Sequence, residues 1–335
     1  MKILVTGAAG FIGFHTALAL LARGDQVIGL DNFNSDYDVS LKEARLAQLQ
    51  EHESFCFHKI DLLDCAAMID LFVSENPQRV INLAAQTRDR NSLENPQAYV
   101  GANILGFLNL LENCRNHHVE HLVFASSSSV YGANTAMPFS AHDSADHPLS
   151  LYAASNKSNE LMAHTYAHLF RIPVTGLRFF TVYGPWGRPD MAPFIFLQKT
   201  ITGDAIDVFN NGKHSRDFIY IDDAVQGILL ALDKIAESNI DWNGAVPDPA
   251  TSTAPYRLYN IGNSQSVELI HFIECIEKST GKIARKNFLP MQPGDIENTV
   301  ADIDSINTDV DFEPVISIEE GVERLVAWHR DYYKI

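Results

Sequence analysis

At 335 residues the chain has room for about two domains of ~150 residues, or one large domain carrying a lobe. Hydrophobic residues at 46% and charged residues at 20% exclude a disordered or low-complexity majority. Forty-two acidic against 25 basic residues give a formal net charge of −17, a field that repels polyanions and excludes nucleic acid as the main partner, so a phosphate-bearing small molecule must be met by local basic groups.

Taken in chain order, short apolar runs alternate with longer amphipathic ones. Ile3–Val5 predicts a buried strand, Phe11–Ala22 a helix, and Val27–Leu30 and Val80–Leu83 further strands. Ala98–Asn113 predicts a helix, Leu122–Ala125 a strand, Tyr152–Phe170 a helix and Val174–Leu177 a strand. Strand followed by helix, repeated, implies right-handed crossovers and an α/β fold: a doubly wound parallel sheet covered on both faces. Past about Arg178 the pattern loosens, and Pro185, Pro189, Pro193 and the run Trp242–Pro255 interrupt regular structure. Residues 1–180 are therefore expected to form the main domain and 181–335 a smaller C-terminal substrate-binding lobe, with some of its segments returning to the sheet. Pro247–Pro255 reads as a surface loop, and no internal repeat is visible. The cysteines Cys56, Cys65, Cys114 and Cys275 form no Cys-x-x-Cys pair and no metal-ligand spacing with histidines, so no metal is expected and a reducing compartment is. Met1–Val5 runs straight into a glycine-rich turn rather than a signal sequence, and no stretch is apolar enough to span a membrane; a cytoplasmic location is the expectation.

The first strand leads into Thr6-Gly-Ala-Ala-Gly-Phe-Ile-Gly13 and then a helix. Glycines 7, 10 and 13 thus occupy a strand-to-helix turn, the context that a pyrophosphate-binding loop requires. Gly7 permits the turn, Gly10 lets backbone approach a phosphate and Gly13 lets the helix pack closely, while the helix N-terminus presents N–H groups. Asp31 closes the next strand eighteen residues beyond Gly13, where a carboxylate can accept both adenosine ribose hydroxyls and repel a 2′-phosphate, favouring NAD over NADP. The pair of signals predicts a Rossmann-type dinucleotide site. Asp61 follows the run Phe55–Ile60; it serves either the adenine amino group or the N-cap of a helix over Ala66–Phe72.

The glycine spacing, Asn82-Leu-Ala-Ala-Gln86, the serine run Ser126–Ser129 and Tyr152 at the head of a helix resemble the extended short-chain dehydrogenase/reductase superfamily over the whole chain. Asp31-Asn-Phe-Asn, Ser92-Leu-Glu-Asn-Pro96, the long run Arg178–Met191 and Gln292-Pro-Gly-Asp295 resemble its UDP-glucuronate 4-epimerase subfamily. The resemblance implies retained NAD, transient removal of the C4 hydride of a UDP-sugar, rotation of the 4-keto sugar, and return of the hydride to the other face. It implies Tyr152 as base, Ser127 as its hydroxyl partner, and Asn156 at the place of the superfamily lysine. Cofactor contacts are implied at Gly7, Gly10, Phe11, Ile12, Gly13, Asp31, Asn32, Asp61, Leu62, Leu83, Ala84, Ala85 and Asn103. Substrate contacts are implied at Ser128, Ser129, Arg90, Thr181, Arg188, Arg216 and Asp295, with Arg188 as a fork for a C6 carboxylate, Arg216 at the diphosphate and Asp295 near the nucleotide ribose. Relatives dimerise through the helices that correspond to Ala98–Asn113 and Tyr152–Phe170, so a two-fold homodimer is expected.

Two departures set this chain apart. Where the family has Ala-Gly-Val-Arg-Tyr-Ser, this sequence reads Thr87-Arg-Asp-Arg-Asn-Ser92. In Tyr152-Ala-Ala-Ser-Asn-Lys157 the lysine arrives one residue late, and a one-residue offset turns a side chain about 100° round a helix, so Lys157 is expected to point away from the site. These departures keep open a silent NAD- or sugar-nucleotide-binding protein. Dehydratases of similar fold use an Asp-Glu pair where Ser128 and Ser129 stand, and UDP-glucuronate decarboxylases carry a glutamate where Ser129 stands.

Overall fold

The computed structural model describes residues 1–87, 91–291 and 296–335; the predicted contacts Arg90 and Asp295 lie outside them. The strands, in chain order, are β1 (Lys2–Thr6), β2 (Gln26–Leu30), β3 (Phe55–His58), β4 (Arg79–Asn82), β5 (His121–Ser127), β6 (Val174–Phe179), β7 (Thr181–Tyr183), β8 (Ala205–Val208), β9 (Ser215–Tyr220), β10 (Tyr256–Ile261), β11 (Ser266–Glu268) and β12 (Arg285–Phe288). Seven of them form one sheet in the order β10-β6-β5-β4-β1-β2-β3, and every pairing in it is parallel. The strand order reverses between β1 and β4, and ligands bind at such a switch point, outside the carboxyl ends of the strands.

Residues alternate cleanly between the two faces. Leu4, Ile28, Val80, Leu122 and Phe124 pack under the helices Cys65–Glu75, Gly106–Asn116 and Leu151–Phe170. Ile3, Val5, Val27, Ile81 and Val123 pack under Phe11–Ala22 and Ile221–Asp233. Burial on both faces is why the strands read as continuous apolar runs. Residues beyond 180 return to this sheet through β10 and the helix Ile221–Asp233, and the others build a three-stranded sheet β11-β9-β7, a parallel pair β12-β8, and a separate core around Phe196, Phe218, Phe272 and Val322.

One expectation needs correction. The stretch Pro247–Pro255 is no simple surface loop: its small residues Ala250 and Ala254 are fully buried in the main core beside Tyr256 and Leu258. The helix expected over Ala98–Asn113 is present and runs without interruption through Pro96–Tyr99, a π-helical stretch Val100–Leu105 and an α-helix Gly106–Asn116, with right-handed helical backbone at each junction. No helix among the described residues is long and apolar enough to cross a membrane.

Candidate active site

A cleft of about 1200 Å³ opens at the carboxyl ends of the strands, between the large sheet and the C-terminal lobe. Its floor is the glycine loop. Gly7 has φ +70, and a Cβ there would lie 2.9 Å from the Ala84 nitrogen; at Gly13 a Cβ would fall 2.0 Å from the Gly7 carbonyl oxygen. Only glycine lets the turn, the Leu83–Ala85 segment and the helix pack this closely. The Thr6 hydroxyl fixes the same junction, donating to Asn82 Oδ1 at 2.7 Å and accepting from the Leu83 and Ala84 amides. Gly7, Gly10, Phe11, Ile12, Gly13, Leu83, Ala84 and Ala85 all line the cleft.

Asp31 sits buried at the end of β2, its Oδ1 accepting from the Phe33 amide at 2.8 Å and from Lys42 at 3.3 Å. Lys42, which the sequence did not single out, also lines the cleft and donates to Asn34 at 2.7 Å. Asn32 donates to Asp61 Oδ2 at 2.8 Å, and Asp61 Oδ1 accepts from the Leu63 amide. The cap of the helix Cys65–Glu75 is Asp64, which resolves the two roles left open for Asp61 against capping. Asp31, Asn32, Asp61 and Leu62 form one end of the cleft. Asn103 does not line it: its amide pairs with both backbone groups of Gln86 at 2.8 and 2.9 Å and donates to Ser155. Asn103 therefore holds the loop after β4, whose residues Leu83–Gln86 line the cleft.

At the middle of the cleft, β5 ends in the serine run. Ser127 Oγ accepts from the Ser129 amide at 3.2 Å and caps a 3₁₀ turn, and Ser127, Ser128 and Ser129 face the cleft. Ser129 Oγ is buried with no hydrogen-bond partner among the described residues. Tyr152 enters from the first turn of the helix Leu151–Phe170, whose N-cap Ser150 accepts from the Ala153 amide at 3.1 Å. One turn on, Asn156 lines the cleft and donates to the Tyr152 carbonyl at 2.9 Å. Lys157 is absent from the cleft wall and lies 3.6 Å from Glu160 Oε2, the direction its helical offset predicts.

Glu160 and Arg178 form a fully buried bidentate pair at 2.8 and 2.9 Å, joined by Ser126 at 2.7 Å. Burial alone would push the Glu160 carboxyl up, but the Arg178 guanidinium outweighs it and holds the group below its ordinary value. The pair ties the Tyr152 helix to the ends of β5 and β6, so it sets where the tyrosine meets the serines.

On the opposite wall, Thr181, Arg188, Lys199 and Arg216 line the cleft. Arg188 donates to Asp190 at 3.1 and 2.7 Å and to the Thr87 hydroxyl, and its guanidinium lies 5.2 Å from the Tyr37 ring centroid. A ligand carboxylate at Arg188 would thus compete with Asp190. Arg216 donates to the Ser215 and Glu297 carbonyls at 3.0 and 2.9 Å. Lys199 and Phe209 were not legible from motifs, since nothing but the fold brings the helix Ala192–Thr202 and the turn after β8 to this wall. Beneath the glycine loop the buried Arg45 donates to the Ala9 carbonyl at 3.0 Å and to the Trp186 carbonyl at 2.6 Å.

Two groups with metal-ligand chemistry that sequence spacing did not reveal, Cys56-His58-Glu75 and His271-Cys275-Glu319, have their ligand atoms within 4.8 Å of one another. None of these residues lines the cleft.

The chain is similar along its whole length to known proteins. It is 53% identical over 334 residues to Protein CapI of Staphylococcus aureus, with both chains fully covered, and 47% identical over 338 residues to a probable UDP-glucuronate 4-epimerase of Rhizobium meliloti, covering 100% of this chain and 98% of that one. Its fold superposes on UDP-glucuronic acid 4-epimerase from Bacillus cereus in complex with UDP-glucuronic acid and NAD, with a TM-score of 0.86 at 33% identity, covering 99% of this chain and all of that one. Residues 3–245 match the model of a single family. With its glycine loop at the switch point, its Asp31 and its tyrosine-serine cleft, the chain belongs to the NAD dependent epimerase/dehydratase family, and NAD is its cofactor.

Proposed function

We propose that this protein catalyses the 4-epimerisation of a UDP-uronic acid, interconverting UDP-glucuronate and UDP-galacturonate by transient oxidation and re-reduction at C4. The observation that carries this reading is the convergence of the glycine loop, Tyr152, the Ser127–Ser129 turn and Arg188 on one cleft. Bound NAD supplies the reversible hydride acceptor. Tyr152 takes the proton of the C4 hydroxyl, Ser127 orients that oxygen, and Arg188 meets the C6 carboxylate once Asp190 yields. Arg216 and Lys199 provide the positive charge that a diphosphate needs on a protein of net charge −17. Neither Ser128 nor Ser129 can protonate a leaving hydroxyl as a carboxylic acid would, which argues against dehydration. Resemblance to relatives named for UDP-glucuronate supports the substrate.

Asn156 favours a second reading, a binder of NAD and nucleotide sugar with little or no turnover. Incubating the purified protein with UDP-glucuronate and resolving the 4-epimer chromatographically separates the two: accumulation of the epimer supports the enzyme, and NAD binding without it leaves the binder.

Arg188→Ala is expected to weaken UDP-uronate recognition by roughly 1.5–3 kcal/mol more than UDP-hexose recognition, because it removes a charge-assisted contact to the carboxylate. Calorimetric titration with both sugars checks this, and equal losses would remove Arg188 from carboxylate recognition.

We further infer that the protein is a cytoplasmic two-fold dimer. Leu161 and Leu169, 60% and 62% exposed, stand on the outer side of the helix Leu151–Phe170, where a second copy would cover them. Sedimentation showing monomer alone at micromolar concentration would overturn the dimer.

A further inference from the structure

Away from the cleft, three segments far apart in sequence bring together Ser305, His142 and Asp248. His142 Nδ1 lies 2.9 Å from Asp248 Oδ1, and His142 Nε2 lies 2.8 Å from Ser305 Oγ. None of the three lines the nucleotide-sugar cleft. The polarity of this chain of hydrogen bonds is fixed by its acid end. Asp248 also accepts from the Ala250 amide at 2.8 Å and the Thr251 hydroxyl at 3.0 Å. Partial burial works against its charge, but the Ala250 amide and His142 outweigh that and hold the carboxyl below its ordinary value. An ionised carboxylate only accepts, so Nδ1 is the donor to Asp248, and in the neutral imidazole Nε2 is then the nitrogen that accepts from the Ser305 hydroxyl. That is the arrangement in which an imidazole activates a serine and a carboxylate holds the imidazole in the required tautomer.

We propose that Ser305, His142 and Asp248 form a second reactive centre, independent of the epimerase cleft, in which Ser305 accepts acyl groups from small activated esters. Ser305 Oγ bonds to the ester carbonyl carbon as its proton passes to His142 Nε2. Collapse breaks the bond to the leaving oxygen, which takes that proton, and an acyl-serine remains; water then repeats the sequence to release the acid, with nothing oxidised or reduced. His142 is 47% exposed, so the centre is open to solvent and takes small esters rather than enclosing large ones.

The test uses the full-length protein with p-nitrophenyl acetate, acid quenching and peptide mass spectrometry. The expected result is acetylation of Ser305, absent in Ser305→Ala and at least about 100-fold slower in His142→Ala, the lower range of what a positioned base supplies. Both variants should bind NAD as the parent does, because neither residue touches the cleft. Acetylation confined to lysines or to His142, or Ser305 acetylation at the parental rate in His142→Ala, would overturn the proposal.

Discussion

Asn156→Lys raises epimerase turnover by at least about tenfold, while Lys157→Ala changes it little. A tyrosine whose pKa is ordinarily about 10 is a poor base at neutral pH until a nearby cation stabilises its anion. Position 156 faces the cleft one helical turn beyond Tyr152, but the residue there is an uncharged amide engaged with the Tyr152 carbonyl. The neighbouring Lys157 spends its ammonium on Glu160, outside the cleft. A lysine at 156 would place a charge on the same helical face as the tyrosine, at a position that already lines the cleft. NAD affinity should be retained throughout, since the glycine loop and Asp31 are untouched. Comparing initial rates of UDP-glucuronate epimerisation decides the matter: an inert Asn156→Lys together with an inactive Lys157→Ala would mean that Lys157 serves the site.

Glu160→Gln costs about 3–5 kcal/mol of folding stability, the usual price of leaving a buried guanidinium without its counter-charge. Arg178 has no water to fall back on, and one of its nitrogens, Nη1, already lacks a partner among the described residues. The double replacement Glu160→Leu with Arg178→Met should recover most of that loss, because apolar groups of similar size need no compensation. The dependence on pH has a definite sign. A carboxyl held below its unfolded value of about 4.3 contributes stability that is present above that pH and disappears as pH falls through the folded value, so parent and Glu160→Gln should converge in strong acid. Urea melts at neutral and acidic pH measure both effects, and a variant within experimental error of the parent at pH 7 would show that the pair is dispensable.

The parts of this protein that sequence made legible are those in which one residue type meets a local demand. Glycine at 7 and 13 answers a backbone constraint, and the apolar strands answer burial on two faces, so both could be read without knowing the neighbours. Long-range pairings were not legible. The clasp of Asn103 on Gln86 and the competition of Asp190 for Arg188 depend on which loops the fold sets side by side. Strand β10 escaped notice because polar residues interrupt it, and two of them, Arg257 and Asn260, find partners only in the folded state: Asn260 accepts from Tyr131 at 2.6 Å and donates to the Phe139 carbonyl. Ala250 and Ala254 sat in a stretch rich in proline and threonine, whose composition suggested solvent while its small side chains filled a gap in the core.

The single guanidinium of Arg45 grips the phosphate-binding turn at Ala9 and the sugar-side loop at Trp186 and Gly187, and His15 adds a 2.9 Å bond to the Pro185 carbonyl of the same loop. Side chains and not backbone pairing therefore fasten the first strand-to-helix turn to a loop that follows it by about 170 residues, so removing the Arg45 guanidinium would release both segments at once.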